Sequence, residues 1–151
     1  IVWHPPPADW ERQRVRNDDS IVIELRYRNV AIVLQGDIEA ASEKALAPLL
    51  APSPITILQA PHHGSPSSSS PPLLRATRPA VVVMSVGRNN RFGHPGRAVV
   101  ERYRAIGAAV FRTDQDGAVT IDTDGNTVDV RSFTGRRQHL APAALPIVPP
   151  A

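Results

Sequence analysis

Three short segments concentrate side chains that can bind cations, hold phosphate or move protons: Gly36-Asp37, His62-His63-Gly64-Ser65, and Arg88 to His94 (RNNRFGH). Each follows an apolar run that reads as a strand, and layered α/β proteins place their sites just past such strand ends. Asp37 with the His62-His63 pair suits a divalent cation, Zn²⁺ or Mn²⁺, because carboxylate and neutral imidazole ligate these ions without any thiolate. A cation there would lower the pKa of a bound water and supply hydroxide at neutral pH. Arg88 or Arg91 would hold a phosphate oxygen through paired guanidinium donors. The combined chemistry is phosphodiester cleavage. Each residue also has a plain structural use: Asp37 as a helix N-cap, the histidines as a solvated loop, and His94, between Gly93 and Pro95, as a turn residue.

The elements that must position these residues follow from hydrophobic period. Ile21 to Tyr27 alternates apolar and polar side chains, and Val30 to Gln35 is almost continuously apolar, so the two form a hairpin about Arg28-Asn29. A helix is expected over Ile38 to Ala47, closed by Pro48, Pro52 and Pro54. Ile55 to Gln59 is a short strand, followed by a polar serine-rich loop and a short helix over Leu73 to Thr77. Ala80 to Val86, β-branched and flanked by Pro79 and Gly87, reads as a buried central strand. An amphipathic helix over Arg97 to Ile106 ends at Gly107. Ala109 to Arg112, Ala118 to Thr123 and Thr127 to Ser132 complete the strands, the last two joined by a turn at Asp124-Gly125-Asn126. From Gly135 onward there is no period, and that stretch is expected to lack structure. The order gives an α/β unit with a mixed sheet.

Composition narrows the classes further. A chain of 151 residues with 42% hydrophobic content buries one core. Without cysteine, disulfide frameworks and thiolate metal sites are excluded. Of 17 basic residues only Lys44 is a lysine, and this arginine bias favours phosphate or carboxylate partners, although the arginines form no long basic run. With two Trp, two Tyr and three Phe, aromatic stacking on nucleic acid has little support. Ser65 lacks the Gly-x-Ser-x-Gly elbow of a serine hydrolase. Trp3 and Trp10, in a Pro-rich start, are expected to cover a core edge.

The segments NDDSIVIELRY (Asn17 to Tyr27), VAIVLQGDIE (Val30 to Glu39), PHHGSPSSS (Pro61 to Ser69), VVMSVGRNNRFGHP (Val82 to Pro95) and RTDQDGAVTIDTDG (Arg112 to Gly125) stand in an order that resembles the latter half of the ComEC-type metallo-β-lactamase domain. The resemblance runs from residue 14 to 132 and divides the chain into a Pro-rich lead-in (1–13), the domain portion (14–133) and a Pro/Ala-rich tail (134–151). It implies the second half of a metallo-β-lactamase-like αββα sandwich, a mixed sheet flanked by helices. It also implies a metal-dependent nuclease or phosphodiesterase, joined to a bacterial inner-membrane channel that imports single-stranded DNA and lying outside the bilayer. That domain would degrade the strand that is not imported.

Carried over by position, Asp37 matches an aspartate expected to bridge two metals, and His62-His63 a ligand motif in which His63 is favoured as the ligand. His94 matches a residue near the scissile phosphate, acting as proton donor or further ligand. Arg88, Asn90 and Arg91 are grouped with it as catalytic positions. Asn17 and Ser65 match the same motifs with their roles open. The family's His-x-His-x-Asp-His stretch is absent, so this chain alone is expected to bind metal weakly or not at all and to be inactive. It is also expected to lack the complementary half of the domain, to expose apolar surface and to self-associate. The competing readings are a non-catalytic module that binds DNA or docks on the channel, and a hydrolase of the same fold acting on another phosphoester.

Overall fold

The computed structural model describes residues 1–5 and 16–142. Strands β1 (Val2–His4), β2 (Val22–Tyr27), β3 (Val30–Leu34), β4 (Ile55–Gln59), β5 (Val81–Met84) and β6 (Ala109–Arg112) form one six-stranded sheet in that spatial order. β1, β2 and β3 pair antiparallel, whereas β3 to β6 are parallel. Parallel neighbours need crossovers, supplied here by α1 (Ala40–Leu46), α2 (Pro71–Thr77) and α3 (Arg97–Ala105). Because such crossovers are right-handed and each step moves the same way along the sheet, all three helices fall on one face. Ile38, Leu46, Leu74, Val99, Val100 and Tyr103 pack there against Val33, Leu58, Val82 and Met84.

A short helix, α4 (Thr113–Asp116), leads into a separate antiparallel sheet of β7 (Val119–Thr123), β8 (Val128–Ser132) and β9 (Arg137–Leu140). This sheet covers the other face, with Val128 and Val130 packed on Val30, Ile57, Val81 and Phe111. The unit is therefore α/β with a mixed sheet, as the element order implies, in three layers of helices, sheet and sheet.

β9 corrects the expectation of a structureless stretch after Gly135. Residues 137–140 pair with β8 and seat Leu140 against the second core. One apolar residue in four gives too little period to read, and the pairing supplies what the pattern lacks. The rest of the tail beyond residue 142, and Trp10 in the lead-in, lie outside the described residues. Trp3 does pack on the core edge, and its indole Nε1 donates to the buried Glu24 at 2.9 Å. Arg26 Nη2 meets the same carboxylate at 2.7 Å. Glu24 thus occupies the helix-facing side of β2, and the apolar alternation falls on the opposite side. There Leu25 (52% exposed), Tyr27, Leu34 and Val2 share a face that the second sheet leaves open.

The serine-rich loop is another correction. Ser65, Ser68 and Ser69 are buried, not solvated. Glu43, fully buried on α1, accepts hydrogen bonds from the Ser69 and Ser70 backbone N–H groups. Tyr103 Oη donates to Ser69 Oγ at 2.9 Å, and Arg102 donates to the Ser68 and Ser69 carbonyls. A polar composition here satisfies buried backbone and does not mark exposure.

Candidate functional site

The carboxyl ends of the parallel strands β3, β4 and β5 lie side by side, so the loops that follow them meet along one edge of the sheet. Backbone hydrogen bonds lock the loops together. His62 N–H donates to the Gly36 carbonyl at 3.0 Å, and Gly96 N–H to the Gly64 carbonyl at 2.9 Å. Gly64 has φ +77, and a Cβ on it would sit 2.7 Å from Pro95 Cβ. Only glycine allows the histidine loop and the His94-Pro95 loop to approach this closely.

His62 (φ 48, ψ 44) and His63 (φ 54, ψ 22) both adopt the left-handed region, at a cost on the order of 1–3 kcal/mol each. The surroundings hold them there. Ser65 N–H caps the His62 carbonyl, and Ser68 Oγ donates to the Pro61 carbonyl. The result turns the two imidazoles to different partners.

His63 Nδ1 lies 2.7 Å from the Ser85 carbonyl and His63 Nε2 lies 3.5 Å from Asp37 Oδ1. A carbonyl only accepts, so Nδ1 carries the proton and donates it. Orientation of this kind, with one ring nitrogen held by a carbonyl, leaves the other free as a ligand. Nε2 then directs either a lone pair or a second proton at a carboxylate oxygen. Two lone pairs facing each other repel, so the pair is stable either as imidazolium and carboxylate or as two ligands of one cation.

His62 turns elsewhere. Its Nδ1 is 3.2 Å from Glu39 Oε1, off the direction of a hydrogen bond, and its Nε2 is 3.5 Å from Asn17 Nδ2. Glu39 Oε1 also accepts from Asn17 Nδ2 and Ser67 Oγ. Asp37 is not an N-cap, because α1 begins only at Ala40. Its backbone N–H donates to Ser20 Oγ, which leaves the carboxylate free for the site. The donor set of Asp37 and His63 fits a borderline divalent ion. Among the described residues no group of three or more His, Cys, Asp or Glu is placed to hold one.

His94 joins the cluster through His62, with ring centroids 5.5 Å apart, and its Nδ1 is buried without a partner. Asn90 places it: the Asn90 Oδ1 accepts from His94 N–H at 3.0 Å, while Nδ2 donates to the His94 carbonyl at 2.7 Å. Asn90 is consequently the brace of this loop, with its amide engaged by backbone. His63, Val86, Gly87, Phe92, His94 and Thr113 line a cleft of about 410 Å³. Arg88 and Arg91 do not line it. Arg88 Nε reaches the Asp114 carbonyl, and the Arg91 guanidinium lies 5.3 Å from the Phe92 ring centre at the rim. Ser65 is buried and bonded to Ser67, away from any nucleophilic role.

Burial holds the His94 imidazole below its ordinary value of 6.5, and the charges of His62 and His63 push it the same way. The neutral ring therefore prevails at neutral pH, a form that can accept a proton, donate a neutral hydrogen bond or ligate a metal. Its NMR titration midpoint should lie below 6.5 and move upward in His62→Gln. Because the fold favours the neutral form, this stabilisation is present above 6.5 and is lost as pH falls through the folded midpoint. A midpoint at or above 6.5 would contradict this account.

No family model matches the chain. Four curated proteins do, among them ComE operon protein 3 of Bacillus subtilis, 28% identical over 76% of this chain. Recombination protein 2 of Haemophilus influenzae is 37% identical over 72% of it, and competence protein ComA of Neisseria gonorrhoeae 35% over 68%. These proteins are its homologues. The chain spans only 14–15% of the length of those relatives.

Sequence reasoning singled out Asp37, His62, His63 and His94, and the fold brings all four to one sheet edge. It missed Glu39, whose carboxylate stands 3.2 Å from His62 Nδ1, and the Ser85 carbonyl, which orients His63. A carboxylate two residues after Asp37 was the available signal for the first; a backbone acceptor leaves no signal in side-chain types.

Proposed function

We propose that this chain is the portion of a metallo-β-lactamase-type phosphodiesterase domain that follows its His-x-His-x-Asp-His stretch, working on DNA within a bacterial uptake protein. The observation that carries this reading is the 3.5 Å approach of His63 Nε2 to Asp37 Oδ1, with His63 Nδ1 already committed to the Ser85 carbonyl. Asp37 and His63 would hold the metal, Zn²⁺ or Mn²⁺, with remaining ligands from the complementary half of the domain. A metal bound there supplies a water of lowered pKa and polarises a phosphoryl oxygen. The chain's own residues do the rest: Asn17 fixes His62, Asn90 fixes His94, and His94 takes or shares a proton at the cleft wall.

The homology to competence proteins supports a role in DNA uptake. Among the described residues no helix is long and apolar enough to cross a membrane. The reading places this unit outside the bilayer of the inner membrane, tethered to the channel of the same polypeptide. The open apolar face of β1, β2 and β3 is where the complementary half, or in its absence a second copy, would pack.

A longer protein that adds the preceding sequence is expected to cleave labelled DNA with Mn²⁺ or Zn²⁺ and to stop when a chelator is added. This chain alone should take up either ion only weakly in a calorimetric titration, because it offers two ligands. Chelator-resistant cleavage, or no cleavage with either ion, counts against the metal reading. The alternative of a non-catalytic DNA-binding module draws on the exposed Arg88 and Arg91, and it predicts DNA binding with no cleavage.

A further inference from the structure

Phe92 contributes little to the fold yet occupies a commanding place. It is 69% exposed, as several surface hydrophobes are, and exposure by itself carries no argument. Its position does. The ring lines the cleft, lies within 20° of parallel to His94 with centroids 6.1 Å apart, and has the Arg91 guanidinium over it, 5.3 Å from the ring centre. Gly87 and Gly93, on the same loop, leave open space where a Cβ would be. Asn90 braces the loop that carries the ring, so the platform is preformed.

A flat, exposed apolar ring and a surface cation over it match the chemistry of one nucleotide, whose base stacks on the ring while the guanidinium swings from the ring to the phosphate. A base inside a duplex has both faces covered by its neighbours, so only an unpaired base can use the ring. The small number of aromatics argues against a multi-base stacking surface; it does not bear on a single platform.

We propose that Phe92 stacks on one unpaired base of single-stranded DNA at the mouth of the cleft, with Arg91 on the adjoining phosphate, and so directs the site toward single strands. This rests on the phosphodiester reading above, but its test needs neither metal nor cleavage.

The full chain is titrated, in chelator, with a single-stranded oligonucleotide bearing 2-aminopurine, with an abasic strand of equal length, and with the matching duplex. Binding should quench the 2-aminopurine, and the base-bearing strand should bind about tenfold more tightly than the abasic one. Phe92→Ala should abolish the quenching and remove that tenfold difference, while Phe92→Trp should keep both. An unchanged thermal midpoint would show that Phe92→Ala folds. Equal binding of base-bearing and abasic strands by the unaltered chain, an undiminished difference in Phe92→Ala, or no binding of the single strand would each overturn the proposal. Failure here with metal-dependent cleavage intact in the longer protein would leave the phosphodiester reading standing.

Discussion

Replacing Asp37 with alanine in the longer protein should lower metal-dependent DNA cleavage by on the order of a thousandfold, since a lost ligand removes several kcal/mol of charge stabilisation and each 1.4 kcal/mol is tenfold. The fold should survive. What Asp37 does for the structure passes through its backbone N–H to Ser20 Oγ, which alanine retains, and its side chain is 42% exposed. His63→Gln should act in the same direction, because it removes the opposing nitrogen 3.5 Å away. Rates within a few-fold of the unaltered protein for Asp37→Ala, with normal circular dichroism, would take the carboxylate out of the mechanism. A variant that fails to fold is recognised by its spectrum, and Asp37→Asn, which keeps the shape and removes the charge, then carries the test.

The second large effect is on stability. Glu43→Ala should cost about 3 kcal/mol, because it strands the buried Ser69 N–H and the half-buried Ser70 N–H, each at roughly 1–3 kcal/mol. Glu43→Gln keeps the shape and one acceptor and should cost about half as much. Urea unfolding followed by tryptophan fluorescence checks both, and a loss below about 1 kcal/mol for the alanine variant would mean that the loop finds other partners. The expectation joins stability to the site, because the same loop runs from His63 to α2, and Ser67 Oγ donates to Glu39, whose carboxylate stands beside His62. Loosening it should therefore also shift the His94 titration, through the His62 charge that faces it.

Much of the sheet was legible because its strands carry strong periodic signals. β4 and β6 fall on the expected residues, and β3 and β5 differ only at their ends. The site edge was legible for the same reason: three apolar runs of similar length, each ending in a polar loop, must end on the same side if they are parallel. β2 was read from Ile21 and begins at Val22, but its buried face was not evident. Ile23, Leu25 and Tyr27 alternate as a core face would, yet Val22 and Glu24 are buried against the helices. A period identifies two faces without saying which is covered.

Residue type therefore set which atoms could do chemistry here, and apolar runs set which loops would carry them, because both depend on neighbours a few positions away. Only the folded chain decided that His62 turns to Glu39 and His63 to Asp37, that Asn90 braces backbone, that Arg88 and Arg91 stay at the rim, and that the serines are interior. Each of those outcomes depends on groups far apart in sequence meeting across a sheet edge, with left-handed backbone at two histidines held by contacts no local pattern encodes.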